Sequence, residues 1–189
     1  GMESYRREDA ERLCEQSARH ADEVADTAAR VASIYGVGLD AAWVAGLLHD
    51  WDRDLSDDEL LRAAAAHGLP LSEADRRRPR LLHARTGAVH VAERFPELGD
   101  GIVSAIERHT LGAPEMSELD MVVYVADMIA PSRAFRGVDD LREAAGTLSL
   151  ESLFAEAYRR SVAHVVDAGK FLHPLTVEVF NAYCVRGRP

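Results

Sequence analysis

The sequence predicts an all-α fold, and three observations predict it. Apolar residues recur at helical spacing along most of the chain. No segment alternates apolar and polar residues over enough length to force a strand. The chain is rich in Ala and poor in aromatics, which make up 6% of its residues. Its 189 residues, 47% of them apolar, suffice for one domain with a real core. No Pro-, Gly- or Ser-rich linker divides the chain and no internal repeat shows, so a single domain over 1–189 is expected. Gly1 ahead of Met2 reads as a cloning scar and is set aside.

Helices are expected over 4–16, 18–35, 40–50, 56–67, 72–77, 80–94, 100–109, 118–130, 138–146, 150–168 and 174–184. The second carries an apolar stripe at His20, Val24, Ala28 and Val31 and stops at Gly36-Val37-Gly38. The third starts at Asp40 and is apolar nearly all round, so it should be buried. Ser56 caps the fourth, and Glu59 completes a capping box. His83, Gly87 and Val91 share one face of 80–94; Ile102, Ile106 and His109 share one face of 100–109. Ser117 and Asp120 start 118–130, whose stripe is Leu119, Val123 and Asp127.

The formal net charge of −10 argues against a general nucleic-acid binder, because no basic excess exists to neutralise phosphates. It leaves room for a small phosphate substrate, since a bound cation reverses the field locally. Cys14 and Cys184 have no CxxC spacing, which points to a reducing compartment and no structural zinc. The N-terminus lacks an apolar signal region and no apolar run is long enough to span a bilayer, so a cytoplasmic protein without membrane contact is expected. Lys170 is the only lysine and is read as composition bias rather than as a site.

Five helices place an imidazole or carboxylate on their apolar side: His20, His49 with Asp50, His83, His109 and Asp127. A single core-facing His is usually satisfied by hydrogen bonds, and Asp50 read alone is a helix-end residue facing water. Asp127, within VVYVADMIA, is harder to dismiss, because an unpaired buried carboxylate costs several kcal/mol. Neutral imidazoles and carboxylates together, with no spare Arg or Lys on those faces, are the donors of a divalent metal site.

The ordered pattern His20, His49-Asp50, His83, His109, Asp127 resembles the HD superfamily of metal-dependent phosphohydrolases. More narrowly it is similar to the YqeK branch, the symmetrical diadenosine tetraphosphate hydrolases of bacteria. The likeness is carried by His20 with Val24, AGLLHDW (45–51), LLHARTGA (81–88), AIERHTLG (105–112), MSELDMVVYVADMIAPSR (116–133), and Pro174, Thr176 and Asn181. It spans about residues 16–183. The resemblance implies an HD-domain helical bundle with two divalent ions, often iron; a His/Asp set also accepts Mn, Co, Ni or Zn. One ion would be held by His20, His49, Asp50 and Asp127, the other by His83 and His109, with Asp50 bridging.

Thr110 would stand beside the ligands at the substrate, and Arg53 and Arg133 would contact its phosphates. The resemblance implies that two such ions would supply Lewis acidity to water and to a phosphoryl oxygen, and that the products would be two ADP. The chain departs from the family at Arg53, where Lys is usual, and at Ala130, where Glu is usual. The first alternative is another HD phosphohydrolase acting on a monophosphate, a deoxynucleotide or a cyclic nucleotide. The second is a non-catalytic nucleotide-binding module. No GYP segment of the cyclic dinucleotide enzymes is present, and Asp52-Arg53-Asp54 is not the acidic pair of the alarmone hydrolases. The oligomeric state is left open, a homodimer included.

Lesser features are read as structural: His90 as a core or rim residue, His67 as a helix C-terminal cation, His164 and His173 without ligand roles, and Trp51 and Tyr124 as core. The run RRRPR (76–80) reads as a solvated loop that could help capture a polyphosphate.

Overall fold

Local rules place most of the helices. The computed structural model describes residues 1–185, so positions 186–189 of the expected domain lie outside the described residues. The helices are α1 (Met2–Arg12), α2 (Glu15–Tyr35), α3 (Leu39–Leu48), α4 (Asp57–Ala66), α5 (Glu73–Arg77), α6 (His83–Arg94), α7 (Asp100–Arg108), α8 (Glu118–Ile129), α9 (Val138–Ala144), α10 (Leu150–Asp167) and α11 (Pro174–Tyr183). A 3₁₀ turn, Pro79–Leu82, leads into α6. Among the described residues the only β feature is an isolated bridge between Ala145 and Leu148. Capping boxes form at Ser56/Glu59 and Ser117/Asp120, and a further one at Ser72/Asp75.

The first expected helix, 4–16, is corrected by the structure. It breaks at Leu13 and Cys14, which are extended. The reason is tertiary: Asp54 accepts the Cys14 N–H at 2.7 Å and the Ser17 hydroxyl at 2.9 Å, so it caps α2 from 40 residues away. The expected 40–50 helix also stops early, at Leu48, and three successive i→i−3 turns follow through Leu55. These turns carry His49 and Asp50 off the helix axis into the interior.

α2, α3 and α8 pack against one another, and α10 packs against α8. One apolar cluster joins Val24, Ala28, Val31, Val122, Val125, Ile129, Leu153 and Phe154. A second joins Leu47, Leu48, Trp51, Val91, Phe95 and Ile106. The α2–α3 approach depends on Gly46: a Cβ there would sit 3.0 Å from Ala25 Cα, Ala28 Cβ and Val24 O. That contact brings the start of α2 beside the end of α3.

The turn after Asp50 is fixed from below. Asp52 is fully buried, with Arg12 Nη2 donating to it at 2.5 Å and His90 Nδ1 2.7 Å away on its other oxygen. Arg12 Nε also donates to the Trp51 carbonyl at 2.7 Å. His90 is thus engaged under the site, and Trp51 packs against Phe95 in the core.

Candidate metal centre

The structure brings all six candidate ligands together at one end of the bundle. His20 comes from the first turns of α2, His49 and Asp50 from the end of α3, His83 from the start of α6, His109 from the end of α7, and Asp127 from α8. His49, Asp50, His83 and His109 are buried; the side chains of His20 and Asp127 are 18% and 19% exposed at the mouth.

Three of the imidazoles are oriented in the same way. His49 Nδ1 donates to the Gly46 carbonyl at 2.6 Å, His83 Nδ1 to Arg80 O at 2.6 Å, and His109 Nδ1 to Ile106 O at 2.7 Å. Each carbonyl belongs to the residue three positions earlier, so the local helical turn sets the ring. A carbonyl can only accept, which places the neutral ring's proton on Nδ1 and leaves a lone pair on Nε2.

These lone pairs converge. His83 Nε2 lies 3.2 Å from His109 Nε2, and the two lie 3.0 and 3.4 Å from Asp50 Oδ1. His49 Nε2 is buried with no hydrogen-bond partner, 3.4 Å from Asp50 Oδ2 and 3.9 Å from Asp127 Oδ1. Acceptors packed against acceptors repel one another unless a cation lies among them. Two groups of donors could hold one: His20, His49 and Asp50, and Asp50, His83 and His109. Asp50 is common to both, and Asp127 Oδ1 stands 2.9 Å from His20 Nε2.

The electrostatics agree. Burial works against a charged His49, yet Asp50 and Asp127 outweigh it and push the ring up to about 9, so that without a cation beside it His49 takes a second proton, on Nε2, in the place a metal ion would fill. Burial likewise opposes ionised Asp50, but the surrounding imidazoles hold it well below the usual carboxylate range. Burial lowers the affinity of His109 for a proton. The pocket therefore attracts positive charge while keeping both carboxylates ionised.

One part of the sequence reading needs correction. It found no spare cation on the ligand-bearing faces, but Arg133 folds back from beyond the end of α8. Its Nη2 donates to Asp127 Oδ1, and its Nε donates to the Asp127 carbonyl at 2.8 Å. Burial opposes ionisation of Asp127, while His20 and Arg133 hold it far below the usual range. Asp127 is thus paired as well as placed for metal.

Above these residues opens a cleft of about 930 Å³, bordered by Arg53, Arg133 and Thr110 as expected, and also by Arg19, Glu23 and Arg80. Thr110 Oγ1 is 3.1 Å from His109 Nε2. Arg53 has no side-chain partner among the described residues and is held only through its backbone N–H, which donates to Asp50 O at 2.7 Å. Arg19 and Glu23 were missed because charged residues on a helix normally mark its solvated face; their signal was adjacency to His20 and one-turn spacing from it. Ala130 is fully buried in the apolar core, and its carbonyl accepts from Arg142 at 2.8 Å. This departure from the family therefore bears on core packing rather than on the cleft.

The HD domain family model matches residues 18–132. The symmetrical bis(5'-nucleosyl)-tetraphosphatase of Bacillus subtilis (strain 168) is 30% identical over 171 residues, 90% of this chain and 91% of that protein. The protein of the same name from Halalkalibacterium halodurans is 28% identical, covering 89% of each chain. A crystal structure described as a "predicted HD superfamily hydrolase involved in NAD metabolism", from Clostridium acetobutylicum, superimposes with a TM-score of 0.91 at 33% identity. It covers 97% of this chain and 96% of that one. The converging His/Asp donors, the family match and relatives aligned end to end lead to one assignment: the chain belongs to the HD-domain hydrolases, in the branch of the symmetrical bis(5'-nucleosyl)-tetraphosphatases.

Proposed function

We propose that this chain hydrolyses diadenosine tetraphosphate, or a related dinucleoside polyphosphate, symmetrically to two nucleoside diphosphates. The observation that carries the reading is the convergence of the Nε2 atoms of His49, His83 and His109 on Asp50. That donor set fits two divalent ions sharing Asp50. His20, His49, Asp50 and Asp127 would hold one; His83, His109 and Asp50 would hold the other. When bound, the ions supply Lewis acidity toward the phosphoryl oxygens and toward water.

The protein's own part is placement. Arg53, free and beside Asp50, and Arg133, at the Asp127 edge, would bind phosphate oxygens on either side of the scissile bond by charge-assisted hydrogen bonds. Thr110 would orient the group next to His109. A nucleoside diphosphate is a competent leaving group, so no strong general acid is required. Iron is the metal that the resemblance favours, with Mn, Co, Ni and Zn compatible with the same donors. A cytoplasmic enzyme acting on a small nucleotide accords with the free Cys14 and Cys184.

A panel of mononucleotides, cyclic nucleotides and dinucleoside polyphosphates, assayed with and without chelator alongside metal analysis, tests the reading. Metal-dependent turnover confined to dinucleoside polyphosphates is expected. Turnover of a monophosphate alone would move the chain to another HD activity, and no turnover by metal-loaded protein would make it a binding module.

A further inference from the structure

Asp50 stands between two groups of helices. His20 and Asp127 belong to α2 and α8, and His49 ends α3; these three helices pack against one another. His83 belongs to α6 and His109 ends α7, and these two pack together. Asp50 continues the chain of α3, so the covalent connection places it in the first group. Its register against α6 needs contacts of its own.

Those contacts centre on Asp52. Its side chain is fully buried, where an unpaired carboxylate costs several kcal/mol. Both oxygens are partnered: Oδ1 accepts from Arg12 Nη2 at 2.5 Å, and Oδ2 accepts from His90 Nδ1 at 2.7 Å. Gly87 of α6 lies against the same turn. A Cβ there would stand 3.5 Å from Asp52 N and 3.7 Å from Trp51 Cβ.

His83, Gly87 and His90 follow the spacing i, i+4, i+7, so they share one face of α6 about 10 Å long. That face meets the turn three times. His83 Nε2 lies 3.0 Å from Asp50 Oδ1, Gly87 rests on the backbone, and His90 holds Asp52. His90 is not among the proposed ligands, and its side chain is 24% exposed, so replacing it makes little demand on folding.

Resting on the two-ion reading above, we infer that His90 is a positioning residue for one ion of the pair. Through Asp52 it keeps Asp50 in register with His83, and so sets the affinity of the ion held by His83, His109 and Asp50. The other ion draws His20, His49 and Asp127 from α2, the end of α3 and α8, and this contact does not place them.

The test challenges cobalt-loaded protein with graded chelator and counts the ions retained per chain. His90→Ala leaves Asp52 Oδ2 without its α6 partner; His90→Asn keeps an N–H donor near the Nδ1 position. His90→Ala should give up one ion at about 10–100-fold less chelator than the wild type, the scale for a group that supports a ligand. The second ion should be held as in the wild type, and His90→Asn should restore the first. The weakened ion should be the one that His83→Ala loses, not the one that His20→Ala loses. Two ions held normally by His90→Ala, an equal loss of both, or an Asn variant as weak as the Ala variant would overturn the positioning role alone. Wild-type protein that retains a single ion per chain would overturn the two-ion reading, and the inference with it.

Discussion

His83 and His109 point their unprotonated Nε2 atoms at each other across 3.2 Å, with Asp50 Oδ1 within 3.4 Å of both. Each ring has already committed its proton to a carbonyl in its own helical turn. The arrangement is unfavourable in an empty pocket and favourable around a cation, which makes it a donor set rather than a hydrogen-bond network.

Asp50→Ala should therefore remove more than one ligand contact. Activity should fall at least about a hundredfold, since loss of a group merely supporting a ligand costs 10–100-fold, and metal content should fall with it. Elemental analysis of the purified variant beside a rate assay checks this. Normal metal content with normal turnover would remove the bridging role.

Arg133→Ala separates phosphate binding from metal binding. The guanidinium touches Asp127, yet its side chain is 41% exposed to the cleft. The expected result is a loss of about tenfold to a hundredfold in kcat/KM, the worth of one or two charge-assisted hydrogen bonds, with metal content largely kept. Equal losses of metal and activity would make Arg133 a support for Asp127 alone.

Gly46→Ala tests how the fold aims the site. A methyl group at this position would stand 3.0 Å from the α2 backbone, so α3 must shift. Overpacking of this kind costs about 1–3 kcal/mol. Because Gly46 O also orients His49, metal affinity should fall together with the melting temperature. A stable variant with full metal affinity would show that the helices separate without moving the ligands.

Asp9, buried in α1 and not among the proposed ligands, gives a pH signature of its own. It is 1% exposed, and its Oδ1 has no hydrogen-bond partner. Burial, aided by Asp22 and Asp50 and opposed by His49 and Arg12, pushes its carboxyl from 3.8 up to about 7. The folded state then holds a proton that the unfolded chain has lost between those two values. Stability from this source is present at low pH and is lost as pH rises through about 7. Asp9→Asn should stabilise the protein above pH 7, by up to about 4 kcal/mol, with the advantage shrinking as pH falls toward 4. Thermal melts of both proteins across that range check it; an advantage that does not vary with pH would contradict the assignment.

The sequence foretold this fold well where the signals are local. Helical periodicity, the Ser56 and Ser117 capping boxes and the Gly36–Gly38 stop lie within a few residues of what they determine. The break at Leu13–Cys14 was hidden because its cap, Asp54, is distant in sequence. The same distinction holds at the site. His20, His49, Asp50, His83, His109 and Asp127 stood out as polar groups on apolar faces, and the structure gathers them. Arg19 and Glu23 looked like ordinary surface charge, and only the fold turns them toward the cleft, where Arg80 of the RRRPR run also stands. The Arg133–Asp127 pair escaped notice because Arg133 lies past the end of α8, outside any helical face.

The most direct test of the whole account is the product composition from diadenosine tetraphosphate during its first turnovers by metal-loaded wild-type protein. If the proposed centre holds its metal at Asp50, the placement of the phosphates decides which phosphorus is attacked. ADP as the sole nucleotide product, abolished by chelator and restored by divalent metal, is the predicted result. AMP with ATP in equal amounts would mean a different phosphate register and would contradict the symmetrical reading.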